Sequence, residues 1–167
     1  MSQSIAISAQ PAARGAAYAA TTELDAVKPG TAPLRVFLVE DSALFRERLT
    51  ESLGSACDIE LAGWADREQA AIDALKHCAW DVLIVDLQLK QGTGLGVLGA
   101  LRSLRRAPGS KIVVLTNHDF YLYRRRASEA GADFYMVKGR DFRRLVEVLR
   151  EMAAQRSSQR DAGVRRA

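Results

Sequence analysis

"VLIVDLQLKQGTG", residues 82–94, is the stretch whose reading decides the fold. Four apolar residues, Val82 to Val85, run without a break, and Asp86 follows at once. A short apolar run with no alternation is the pattern of a strand covered on both faces, as in parallel sheets. A carboxylate is costly to bury unless something pairs with it. Asp86 therefore marks a place where a buried strand meets a polar site.

Working outward, similar apolar runs occur at "RVFLV" (35–39), "IELAGW" (59–64), "KIVVLT" (111–116) and "DFYMV" (133–137). Longer stretches with helical spacing separate them. One face carries Ala43, Leu44, Leu49 and Leu53, and the next carries Ala70, Ala71, Ala74 and Leu75. Leu95, Leu98, Leu101 and Leu104 form a third, residues 119–130 a fourth, and Phe142, Leu145, Val146 and Leu149 a fifth. Ser42, Asp66, Gly94 and Asp141 stand where these helices begin, and Gly54 and Gly131 where helices stop. Five βα units follow, and they predict an α/β fold: a doubly wound five-stranded parallel sheet with helices on both faces.

The chain has 167 residues, 48% hydrophobic and 26% charged, which suits one domain with a substantial core. No run of 18 apolar residues occurs, so no membrane span is expected. Residues 1–33 are rich in Ala, Ser and Thr, interrupted by Gln10, Pro11 and Arg14, with no basic start. They read as a flexible extension rather than a secretory leader. Cys57 and Cys78 lie in or beside apolar segments and read as reduced thiols of a cytoplasmic protein. The net charge of +4 gathers toward the C-terminus, where Arg156, Arg160, Arg165 and Arg166 sit among Ser, Gln and Gly. That composition predicts a basic, disordered tail over 155–167 around a folded unit of 34–154.

Ligands of open parallel sheets bind outside the carboxyl ends of the strands. Past the first strand stand Glu40 and Asp41; past the third, Asp86; at the end of the fourth, Thr116; past the fifth, Lys138. Each has an ordinary explanation alone, as a cap, a strand residue or a solvated charge. Their coincidence at one edge carries the weight. Two carboxylates about 4 Å apart repel by about 4 kcal/mol at an effective dielectric of 20, so three need raised pKa values or a cation. An all-oxygen cluster suits Mg²⁺, which keeps several waters and bridges to phosphate. Lys138 adds positive charge and Thr116 a hydroxyl donor. Asp86 lies between the two groups and is the candidate nucleophile, forming an acyl phosphate.

"VFLVEDSALFRERL", "VLIVDLQLKQGTGLGVL", "KIVVLTNH" and "GADFYMVKG" resemble the conserved blocks of the response-regulator receiver domain, over about residues 34–154. The resemblance implies a flavodoxin-like (βα)5 fold with strand order 2-1-3-4-5. It implies a phosphoryl group accepted on Asp86, with Mg²⁺, from a histidine kinase or a histidine phosphotransfer protein. Glu40, Asp41, Asp86 and the backbone carbonyl of Gln88 would hold the metal, and Thr116 and Lys138 would contact the phosphoryl oxygens. Thr116 and Tyr135 occupy the positions of the conformational switch.

The chain departs from the family pattern in several places. Lys90 replaces a proline after the phospho-acceptor, and Thr93 stands where an Asp often precedes the glycine. Lys138-Gly139 replaces a Lys-Pro step, which predicts a trans bond and a more mobile loop. Asn117 replaces a small residue, and Gln88 and His118 occupy positions that tune attacking water.

The expected module is a single-domain response regulator, monomeric or forming a phosphorylation-linked homodimer, that signals to a protein partner rather than acting as an enzyme. Arg124, Arg125 and Arg126 form a candidate docking patch; nucleic acid is a weaker fit, since nothing here reads bases. Two alternatives stand beside this reading. One is a degenerate receiver that binds constitutively, and the other an Mg²⁺-dependent phosphatase with an aspartyl nucleophile. The second normally carries its nucleophile after the first strand in a D-x-D pattern, where this chain has "VEDSA".

Overall fold

A computed structural model describes residues 32–53, 58–104 and 106–164, with side chains as far as Arg156. The expectations for residues 1–31, Gly54, Cys57 and the last three residues lie outside the described residues. Five strands and five helices alternate: β1 (Leu34–Val39), α1 (Ala43–Leu53), β2 (Ile59–Ala65), α2 (Glu68–Leu75), β3 (Val82–Val85), α3 (Gly94–Leu101), β4 (Lys111–Thr116), α4 (Tyr121–Glu129), β5 (Phe134–Val137) and α5 (Lys138–Val164). All pairings are parallel, in the order β2-β1-β3-β4-β5.

Successive side chains on a strand point to opposite faces, and here both faces are apolar. Phe37, Val39, Leu83, Val85, Ile112 and Val114 pack on one side with Ala71, Leu75, Val97, Leu98, Leu101 and Ala127, the buried stripes of α2, α3 and α4. Val36, Leu38, Val82, Ile84, Val113 and Leu115 pack on the other with Leu49 and Leu53 of α1 and Leu145, Val148 and Leu149 of α5. This explains why β3 reads as an unbroken apolar run.

Register then sets the site. Val39 pairs with Val85, so Glu40 and Asp86 leave adjacent strands at the same level. Thr116 pairs with Val137, so Lys138 emerges beside Thr116. No membrane-crossing helix, long and apolar enough, occurs among the described residues. Cys78 is a free, half-buried thiol whose pKa burial pushes up.

Several expectations are corrected. Leu44 is 76% exposed; Phe45 turns inward in its place and meets Phe142 edge-on, with ring centroids 5.7 Å apart. At α3 the cap is Thr93, not Gly94, its hydroxyl accepting from the Gly96 N–H at 3.0 Å. Helix α5 starts at Lys138, three residues before the expected Asp141. Asp141 lies inside the first turn and accepts from the Val137 N–H at 2.8 Å. Lys138-Gly139 thus opens a helix rather than a loop, and no peptide bond among the described residues is cis.

The basic segment from 155 is not structureless either, since α5 is helical to Val164, a span of about 40 Å. Composition misjudged it because the helix is already nucleated upstream, and propagation through Ala, Gln and Arg is favourable. Ala153 is buried, and Arg156 reaches Asp81 at 2.6 Å. Gly131, at φ +92°, ends α4 as expected.

Candidate phosphoryl-acceptor site

Lys138 is the centre of the site. Its Nζ lies 2.5 Å from Asp86 Oδ2 and 2.6 Å from Glu40 Oε2, so one ammonium bridges the tips of β1, β3 and β5. Glu40 is 1% exposed and Asp86 4%. The ammonium also stands 4.7 Å from the Phe45 ring centre, which covers it from one side. Burial alone would release the Lys138 proton, but its hydrogen bonds to Asp86 and Glu40 outweigh burial and hold the pKa above the ordinary lysine value. Glu40 moves the other way for a carboxylate: burial raises its pKa more than Lys138 lowers it. The neighbouring Asp86 charge adds a smaller push in the same upward direction.

The backbone shapes both carboxylates. Glu40 Oε1 accepts from the Ser42 N–H at 3.1 Å, and its carbonyl accepts from the Arg46 guanidinium at 2.7 Å. That guanidinium lies 4.1 Å over the Trp64 ring, which clamps the β1–α1 turn to the edge strand. Asp86 Oδ1 accepts from the Gln88 N–H at 3.1 Å, and Gln88 and Thr93 form an antiparallel bridge that closes the β3–α3 loop. Gly94 is packed so closely that a Cβ there would lie 2.1 Å from the Asp86 carbonyl oxygen. Sequence reading took Gly94 for a helix signal only and missed Arg46, Trp64 and Phe45. Nothing in their spacing marks them, since they meet the site only through the fold.

Asp41 is half-buried and completes a cluster with Glu40 and Asp86 in which one carboxylate oxygen from each lies within 4.8 Å of the others. Three hard oxygen donors against a single bridging ammonium fit a small divalent cation. Lys90 reaches over this rim, its ammonium 3.5 Å from the Asp41 carbonyl.

Thr116 is fully buried, and its hydroxyl accepts from the His118 N–H at 3.4 Å. The Tyr135 hydroxyl donates to the His118 carbonyl at 2.7 Å, and burial raises the Tyr135 pKa. The His118 imidazole pairs with Gln88 Oε1 at 2.7 Å, joining the loops after β3 and β4. His118 is therefore held at three points, by Thr116, Tyr135 and Gln88. Asn117 is exposed and takes no part in these contacts. The expected arginine patch is divided. Arg124 turns inward onto Asp119 at 2.6 Å and over the Tyr135 ring at 4.5 Å, while Arg125 and Arg126 face outward.

A cavity of about 440 Å³ opens at the opposite end of the sheet, beside Asp81 and Arg156. The Asp81 carboxylate there is shared by Arg35 at 3.0 Å and Arg156 at 2.6 Å.

The family model described as the response regulator receiver domain matches residues 36–150. Among curated proteins, the chain is 30% identical over 126 residues to the sensory transduction protein LytT of Bacillus cereus, covering 75% of this chain and 50% of that one. It is 32% identical over 122 residues to the nitrate/nitrite response regulator protein NarP of Escherichia coli, covering 73% and 56%. The chain spans about half the length of these relatives. A CheY-like receiver domain protein from Methanospirillum hungatei shares the fold, with a TM-score of 0.64 at 19% identity over 77% of this chain and 99% of that one.

Proposed function

The chain belongs to the response regulator receiver domain family, and from that membership we propose that Asp86 accepts a phosphoryl group from a histidine kinase or a histidine phosphotransfer protein. The observation that carries this reading is the Lys138 ammonium shared between Asp86 and Glu40 beside a third carboxylate. An Asp86 oxygen attacks phosphorus, the N–P bond of a phosphohistidine breaks, and its electron pair returns to the departing imidazole. The product is an acyl phosphate on Asp86.

Glu40, Asp41, Asp86 and the Gln88 carbonyl would hold magnesium, which would supply positive charge where an anionic phosphoryl group meets an anionic carboxylate. The remaining work falls to side chains. The Gln88 N–H holds Asp86 Oδ1, which orients the carboxylate. Lys138, kept charged by its neighbours, neutralises a phosphoryl oxygen as it arrives. Thr116 gives up the His118 N–H and turns its hydroxyl to another phosphoryl oxygen. With that contact gone, Tyr135 changes its seat against the His118 carbonyl, and the β4–α4 surface alters.

In this reading the chain acts in the cytoplasm as a signalling module that takes part in its own phosphorylation, passing its state to a protein partner. The test is incubation with acetyl phosphate and Mg²⁺, followed by intact mass. One base-labile phosphoryl group is expected, lost in Asp86→Ala and after chelation of the metal. An unchanged mass would mean constitutive binding instead, and continuous turnover of a phosphoester would mean a phosphatase.

A further inference from the structure

The cavity of about 440 Å³ lies at the amino ends of the strands, across the sheet from the acceptor site. Its size falls within the range of small-ligand pockets, about 300–1,000 Å³. One wall is apolar, built from Phe134 at the start of β5 and from Val148 and Met152 of α5. Ser110, just before β4, and Arg156, further along α5, line it as well.

Among the described residues, two buried side-chain polar atoms lack a hydrogen-bond partner, Ser110 Oγ and Arg156 Nε, and both residues line this one cavity. Buried polar groups are nearly always paired, so each orphan calls for an account. Ser110 is 9% exposed. Its backbone is satisfied: the N–H donates to the Ala107 carbonyl at 3.1 Å, and the carbonyl accepts from the Arg106 guanidinium at 3.1 Å. Pro108 and Gly109 form the centre of the turn that places it, and Gly109, at φ +82°, has the left-handed backbone that a type II turn demands there. Only the hydroxyl is left over. Arg156 holds Asp81 through one terminal nitrogen at 2.6 Å, which leaves its Nε–H without an acceptor. Asp81 also holds Arg35 at 3.0 Å, and one carboxylate between two guanidiniums leaves positive charge over. Glu151, the other carboxylate on the wall, is already matched by Arg144 at 3.2 Å.

A hydroxyl, an unpaired N–H, surplus positive charge and an apolar wall together describe the complement of an amphipathic anion. We propose that this cavity binds a small organic acid, with its ring or short chain against Phe134 and Met152. Its carboxylate accepts hydrogen bonds from the Ser110 hydroxyl and the Arg156 Nε–H. Ser110 meets it by rotating about a single side-chain torsion, which turns the sealed oxygen toward the cavity. Inorganic phosphate would satisfy the two donors but leave the apolar wall wet, and a neutral aromatic would do the reverse. The cavity shares no residue with the acceptor cluster, so this site does not depend on the chemistry of Asp86.

The test is titration calorimetry on the full chain with 1-naphthoate as the probe, and 1-naphthalenemethanol and inorganic phosphate as controls. Amide NMR shifts, read on the same samples, locate the binding. 1-Naphthoate is expected to bind about tenfold or more tightly than either control. The shifts should gather at Ser110, Lys111, Phe134 and residues 148–156 of α5. S110A should weaken 1-naphthoate about tenfold, the loss of one hydrogen bond to a charged group. Without ligand, S110A should melt at the wild-type temperature or above it, because it removes a hydroxyl that has no partner. M152W, which fills the cavity, should abolish binding, and a thermal melt checks that it folds. Absence of 1-naphthoate binding, equal binding of either control, shifts confined to other surfaces, or wild-type affinity in S110A overturns the proposal.

Discussion

Replacing Lys138 with Met removes the ammonium from Glu40 and Asp86 while keeping an unbranched stem beside Phe45. Both carboxylates are nearly inaccessible to water, at 1 and 4% exposure. Removing one partner of a buried ion pair costs about 3–5 kcal/mol, because the other charge stays behind. The mutual repulsion gives a similar size: with oxygens within 4.8 Å, two charges at an effective dielectric of 20 repel by about 3.5 kcal/mol. Protonation limits the loss. Burial already raises the Glu40 pKa, and without Lys138 it rises further.

A carboxyl with a raised folded-state pKa destabilises the fold as pH climbs from its unfolded value through the raised one. The deficit of Lys138→Met is therefore expected to be about 3 kcal/mol at neutral pH and to shrink toward the ordinary glutamate value of 4.5. A divalent cation replaces the missing charge, so Mg²⁺ should stabilise the variant more than the wild type. Urea unfolding at neutral pH and near pH 5, with and without Mg²⁺, reads all of this. A variant within about 0.5 kcal/mol of the wild type at neutral pH without metal would refute the reasoning, as would equal Mg²⁺ stabilisation of both.

Two glycines of α3 should respond oppositely to Ala. Gly94→Ala forces a Cβ to 2.1 Å from the Asp86 carbonyl and should cost about 1–3 kcal/mol and slow phosphorylation, whereas at Gly99 nothing lies within 4 Å and Ala should stabilise by up to about 1 kcal/mol. Denaturant melts and acetyl phosphate kinetics check both. Asp81, desolvated but held by Arg35 and Arg156, has its pKa lowered from 3.8 to about 2. Its contribution, about 2 kcal/mol, is present above 3.8 and lost as pH falls through 2, so Asp81→Asn should flatten that part of the acid unfolding curve. Arg46 links Trp64 to the Glu40 carbonyl. Mg²⁺ should therefore change Trp64 emission, and the change should vanish in Arg46→Ala while the signal of buried Trp80 persists.

The fold was legible because its signals are local. Val82 to Val85 announce a strand covered on both faces, and the leucine and alanine stripes between the runs announce the helices that cover it. Helix ends were read less well. Asp141 near a helix start is equally compatible with a cap before the first turn and with a carboxylate reaching back from inside it. The length of α5 depended on cooperativity, which composition over 155–164 does not express.

At the site, the types and order of Glu40, Asp41, Asp86, Thr116 and Lys138 could be read from strand ends alone, since the carboxyl edge of a parallel sheet gathers whatever follows each strand. Sequence by itself determined which chemical groups stand there. Only the tertiary structure decided how they share contacts: one ammonium between Asp86 and Glu40, His118 between Thr116, Tyr135 and Gln88, Arg124 turned in while Arg125 and Arg126 face out. The physical reason is that identity and periodicity are carried along the chain. Register, helix rotation and the competition of several partners for one charge arise only when distant segments pack.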